Sequence, residues 1–219
     1  MTQALQLELG PEPDRLAELG LDVEILHRAV RAGITARATR TVLAPRTAAG
    51  TDLYSYTVEE LRLLLAPSGW TAEFAGGQER TVSPDRLTSI VFSTGVGDVG
   101  DPDPAARPRT AYPKGPLMRD AVTENLGFVQ EELPIGLPPR GDGRRLCWVL
   151  LVKVEPGVAH LELSAPDGMR DGVVVSWAER IPLPPLPLGD PVEPGQEPAA
   201  GPAEPAEPAD LDVPVVPLP

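Results

Sequence analysis

Residues 147–178 read CWVLLVKVEPGVAHLELSAPDGMRDGVVVSWA, the densest β signal in the chain. The apolar run that starts at Cys147 is that of a strand covered on both faces. Pro156-Gly157 turns it. Beyond the turn Ala159, Leu161 and Leu163 face one way while His160, Glu162 and Ser164 face the other, the period-2 pattern of a strand. Residues 166–171 are expected to turn the chain again into a strand over 172–178. These are three antiparallel strands in a meander.

Working upstream, residues 87–93 alternate as a further strand, and residues 70–74 and 80–82 form a hairpin across Gly76-Gly77. A short helix over 14–19 ends at Gly20. Asp22 caps a second helix in which Val23, Leu26 and Val30 recur at helical spacing and which Gly33 weakens or ends. Thr57-Val58-Glu59-Glu60 has the T-x-x-E pattern of a capping box, in which the hydroxyl and the glutamate satisfy the first free amides of a helix. Val58, Leu61, Leu64 and Leu65 follow on one side, and Pro67 with Gly69 stops the helix. Pro116 suits the first position of a fourth helix, where its missing N–H is not needed, with Leu117, Met118, Ala121 and Val122 on its buried side. The pattern predicts an α+β fold: an antiparallel sheet of about five or six strands packed by three or four helices, with a disordered acidic, Pro-rich C-terminal tail. The organisation expected is a flexible segment 1–13, one domain over 14–188 and the tail 189–219.

Charge supports that division. The net charge is -13, but seven of the 32 acids and none of the 19 bases fall in residues 189–219, which leaves -6 for the rest. The acidic balance therefore belongs to the tail as much as to the domain, and does not exclude a nucleic-acid partner. Such a Pro/Ala/Glu tail cannot bury enough apolar surface to offset the entropy of ordering. Its end differs: Val213, Val215, Val216 and Leu218 form an apolar tip that could dock as an extended segment on a protein partner. Pro182 to Pro187 contains P-x-x-P spacing, read as a stiff exit from the sheet. No apolar stretch approaches the roughly 20 residues that span a membrane, and the first residues lack the basic and apolar blocks of a signal peptide, so a cytoplasmic protein without membrane contact is expected. The lone Cys147 cannot form an internal disulfide, and its apolar setting marks a buried thiol.

Function is less legible. Residues 93–119, STGVGDVGDPDPAARPRTAYPKGPLMR, make a loop of a length that is usually functional or disordered. Ser93, Thr94, Gly95, Gly97, Asp98 and Gly100 lie in it, and Gly95 to Gly100 spell G-x-G-x-x-G. A dinucleotide site needs the third glycine to open a helix whose N-terminus holds the pyrophosphate, and Asp101-Pro102-Asp103-Pro104 forbids that. A glycine-rich turn is the better reading, and no cofactor is assigned. Asp98, Asp101 and Asp103 fit no calcium-loop spacing, and Cys147, His27 and His160 lack the paired spacing of a zinc site, so no metal is assigned. His160 and Ser164 would stand about 13 Å apart along one strand, too far for a triad.

Two segments carry positive charge without nearby acids. Arg28, Arg31, Arg37, Arg40 and Arg46 make the first; Arg107, Arg109, Lys114 and Arg119, with Tyr112 among them for stacking, make the second. All but two of the bases are arginine, so ordinary solvated arginine is the competing reading. Together these features lead to the expectation of a non-enzymatic binding or adaptor protein. Its basic surface would contact nucleic acid or an acidic partner, and its tail would compete for that surface or tether a partner. One alternative is an enzyme holding a phosphate-bearing substrate at the 93–119 loop; another is an interaction subunit that docks through its C-terminal tip.

Overall fold

A strand apolar on both faces sits at the centre of the structure. In a computed structural model, which describes residues 13–131 and 145–189, this strand is β5 (Leu146–Glu155). The expectations placed on the segment up to residue 12 and on the tail from residue 190 lie outside the described residues. The helices are α1 (Pro13–Glu18), α2 (Val23–Ala38), α3 (Ala48–Leu65) and α4 (Pro116–Glu131). The other strands are β1 (Thr71–Ala75), β2 (Gln78–Val82), β3 (Thr88–Val96), β4 (Arg109–Thr110), β6 (Val158–Arg170), β7 (Val173–Pro182) and β8 (Leu186–Pro187).

The residues of β5 alternate between two apolar layers. Trp148, Leu150 and Val152 enter the larger one with Leu26, Val30, Leu53 and Leu61 from α2 and α3. Cys147, Val149 and Leu151 enter the smaller one with Met118 and Ala121 of α4 and Val99 of the long loop. The sheet is thus the middle layer, with α2 and α3 on one face and α4 and the loop on the other. Arg15 ties α1 to β7 by donating to Glu179 at 2.6 and 2.9 Å, and its guanidinium lies 5.8 Å from the centre of the Trp148 ring.

The sheet order is β1-β2-β3-β5-β6-β7, with β4 added beside β3 and β8 beside β6. Here the expectation of an antiparallel sheet is corrected. β3 and β5 run parallel, from Thr88 opposite Leu146 to Thr94 opposite Val152, and the sheet is mixed. Parallel neighbours need a long crossover, and the connection that carries α4 supplies it. A strand apolar on both faces is what the inside of a parallel pair requires. The remaining pairings are antiparallel, including the meander β5-β6-β7 and the β1-β2 hairpin, whose Gly76 and Gly77 both take positive φ.

Four local readings are also corrected. Helix α2 does not weaken at Gly33 but runs on to Ala38, because Gly33 is where α3 crosses it: a Cβ there would stand 2.5 Å from the Leu53 carbonyl oxygen and would strike the Thr57 hydroxyl. Thr57 caps nothing. It is fully buried inside α3, which starts at Ala48, and its hydroxyl has no hydrogen-bond partner. The expected turn over 166–171 is a continuation of β6 with register shifts between Ala165 and Met169, and the chain reverses at Asp171 and Gly172, both at positive φ. The proline run after β7 is no free exit: Leu183 and Leu186 are buried in the larger layer, β8 pairs with Val158 and Ala159, and His27 Nε2 hydrogen-bonds the Pro184 carbonyl at 2.8 Å.

Pro166 explains a residue that the sequence did not single out. The β5-β6 ladder is regular up to Val149 opposite Ser164. The next rung would need an N–H from Pro166, which has none. Asn125 of α4 supplies the rung instead. Its Nδ2 donates to the carbonyls of Cys147 and Pro166, both at 2.9 Å, and its Oδ1 accepts the Cys147 N–H at 2.9 Å.

Three stability changes follow. Asn125→Ala strands three buried backbone groups and is expected to lower the unfolding free energy by at least about 2 kcal/mol in chemical denaturation. Gly33→Ala is expected to cost about 1–3 kcal/mol by overpacking against α3, whereas Gly50→Ala, whose Cβ would meet nothing within 4 Å, should raise stability by about 0.5–1 kcal/mol. Equal effects at the two glycines would exclude the close approach at Gly33.

Candidate functional site

The long loop is built on its own contacts. Asp98 accepts the Arg107 N–H at 3.0 Å, Asp101 the Asp103 N–H at 2.9 Å and Asp103 the Ala105 N–H at 2.7 Å. Its three aspartates are thus turn-forming side chains that satisfy loop amides. Gly95 packs where a Cβ would lie 2.6 Å from Leu151, and Gly97, at φ +81°, lies against the Arg107 carbonyl. Ser93, Thr94 and Gly95, expected in the loop, belong to β3 instead, and Ser93 is buried and donates to the Thr94 carbonyl at 2.9 Å. No helix follows Gly100.

The Gly100 amide donates to Glu162 Oε2 at 3.0 Å. Glu162 is fully buried on β6, with the Ser164 hydroxyl donating to it at 2.8 Å and Arg180 Nη2 at 2.6 Å. Arg180 also donates to the Asp101 carbonyl at 3.0 Å. So the face carrying Glu162 and Ser164 is not a solvated polar face; the loop covers it and the buried carboxylate pins the loop to the sheet. His160 takes no part in this group. It lies 3.4 Å from Glu155, which also pairs with Lys153 at 2.7 Å.

The two arginine segments lie on opposite faces of the sheet. On the α4 face, Arg107 donates to the Pro104 and Ala106 carbonyls and so serves the loop. Arg109 of β4, Tyr112 and Arg119 of α4 are exposed. Lys114 is half-buried, and burial holds its ammonium below the ordinary lysine value. On the other face, Arg28 approaches Glu60 at 3.6 Å. Arg40 makes a bidentate pair with Asp52, Nη2 to Oδ1 at 2.9 Å and Nε to Oδ2, and these hydrogen bonds hold the Asp52 carboxyl below the usual carboxylate range. That pair fixes the connection 39–47 to the first turns of α3.

Arg37, Arg40 and Arg46 surround one open cleft of about 680 Å³ between this connection and the β5-β6 turn. Ile34, Ala38, Ala49, Val154 and Pro156 give it an apolar floor, and Glu155 lies at its border. Among the described residues, Arg37 and Arg46 have no carboxylate partner. Val42 lines it, and Val42 and its neighbour Leu43 are 100% and 91% exposed. The sequence reading found the arginines but not the cleft, whose floor joins residues more than a hundred positions apart.

Comparison with known proteins finds no matching family model, no matching curated protein and no matching solved structure. The case for function therefore rests on this geometry. Among the described residues no helix is long and apolar enough to cross a membrane, and no group of three or more His, Cys, Asp or Glu side chains is placed to hold a metal ion. Burial pushes the Cys147 thiol up to about 11, where it is a poor nucleophile. The tip residues Val213, Val215, Val216 and Leu218 lie outside the described residues.

The role given to Glu162 is testable. Glu162→Ala leaves Arg180 without its carboxylate and is expected to cost about 3–5 kcal/mol in denaturation. It should also open residues 97–108 to limited proteolysis. A variant as stable and as resistant as the parent would show that the loop is held by other contacts.

Proposed function

We propose that this protein is a non-enzymatic binding or adaptor domain that holds an anionic partner at the cleft between residues 39–47 and the β5-β6 turn. The observation that carries the reading is the convergence of Arg37, Arg40 and Arg46 on one concave, apolar-floored surface, two of them without a carboxylate partner among the described residues. The cations of residues 107–119 sit on the opposite face and do not add to it. In this reading the acidic tail competes with the partner by charge or tethers it.

The enzyme alternative draws less support. The Gly100 amide, which would hold a phosphate, already donates to Glu162. The loop acids hold loop amides rather than converging on a ligand.

The test is binding of a labelled single-stranded oligonucleotide and of poly-glutamate to the full chain. Binding is expected at about 50 mM salt and should fall steeply by about 200 mM. Arg37→Glu with Arg46→Glu should abolish it, Arg109→Glu with Arg119→Glu should leave it in place, and removal of residues 190–219 should tighten it. No binding of either polyanion at the lower salt would overturn the proposal.

A further inference from the structure

The cleft has more chemistry than a patch of positive charge needs. A phosphate-binding surface is served by cations alone, or by cations with aromatic rings for base stacking. No aromatic side chain lines this cleft, and its floor is aliphatic. Tyr112 is on the α4 face, and the exposed Tyr56 lines a separate opening with Arg28, Arg31 and Glu60 rather than this cleft.

The 39–47 connection adds a second argument. Val42 and Leu43 are adjacent, large and aliphatic, and nearly the whole of each side chain meets water. They contribute nothing to either core layer. The turn that carries them is closed by the Ala44 N–H donating to the Thr41 carbonyl at 3.1 Å, and it follows Arg40, which is held by both oxygens of Asp52, a buried residue of α3. A hydrogen-bonded turn that presents Val42 to an apolar cleft is organised before any partner arrives, which lowers the ordering cost of binding.

We infer that the occupant of this cleft is an acidic segment of a partner protein that inserts an aliphatic side chain between Val42 and the floor at Ile34 and Val154, while its carboxylates meet Arg37 and Arg46. This rests on the anionic-partner reading above and narrows it to protein over nucleic acid. Charge complementarity selects the acids, and the aliphatic floor and tip select the anchor.

The experiment is fluorescence anisotropy with the full chain and three probes: an extended acidic peptide with one central leucine, the same peptide with serine in place of the leucine, and a single-stranded oligonucleotide. The leucine peptide should bind. The serine peptide should bind at least roughly tenfold more weakly, the loss expected for one buried aliphatic side chain. Val42→Ser with Leu43→Ser should weaken the leucine peptide by a similar factor without changing the melting temperature, since both side chains are exposed in the parent. If the serine peptide or the oligonucleotide binds as tightly as the leucine peptide, the inference fails while the anionic-partner reading stands. If none of the three binds, both fail.

Discussion

A strand apolar on both faces has to be covered twice, and the rest of the fold answers to that constraint. Every side chain of β5 from Cys147 to Val152 is essentially removed from water. Helices on one side of the sheet would leave half of them exposed, so the chain must send elements to each face. It does so in turn: α2 and α3 come before the first hairpin, and α4 comes inside the β3-β5 crossover. The crossover makes those two strands parallel, and it also creates the long 97–115 connection that closes the second face. The α2-α3 pair, in turn, places the 39–47 connection beside the β5-β6 turn, where the cleft lies.

Much of this was legible locally. The Gly76-Gly77 hairpin, the alternation in β6, the Asp22 cap, whose carboxylate accepts the Ile25 N–H at 2.7 Å, and Pro116 at the start of α4 all depend on neighbours in sequence. What was missed depends on partners far away. A parallel register leaves no mark on either strand beyond an apolar run, although the order strand, loop, helix, strand was in view. Helix α3 begins without a side-chain cap, so its true start is silent, while the T-x-x-E letters at Thr57 lie in its middle and mean packing. Gly33 reads as a weak helix residue until α3 is laid across it. Of the candidate site, the arginines were visible as charge; their cleft was not, because its floor comes from β5 and its turn.

The glycine-rich loop shows how a ligand-like pattern can serve the fold. Glycines that bring backbone amides close to an anion are the basis of phosphate fingerprints. Here the anion is internal. Glu162 occupies the position of a ligand, and Arg180 and Ser164 complete its shell. Only Gly100 meets this anion; Gly95 packs on Leu151 and Gly97 on the Arg107 carbonyl, so three separate close approaches produce the spacing of glycines.

The rung that Asn125 supplies has a kinetic meaning. In an unbroken ladder the exchange of a backbone amide with solvent hydrogen waits for neighbouring strands to part. The Cys147 N–H is instead held by a side chain from a helix. Its exchange therefore follows the undocking of α4, and any motion that lifts that helix exposes the centre of the sheet at one point before its strands separate. A backbone position in the most buried strand thus reports on a peripheral element.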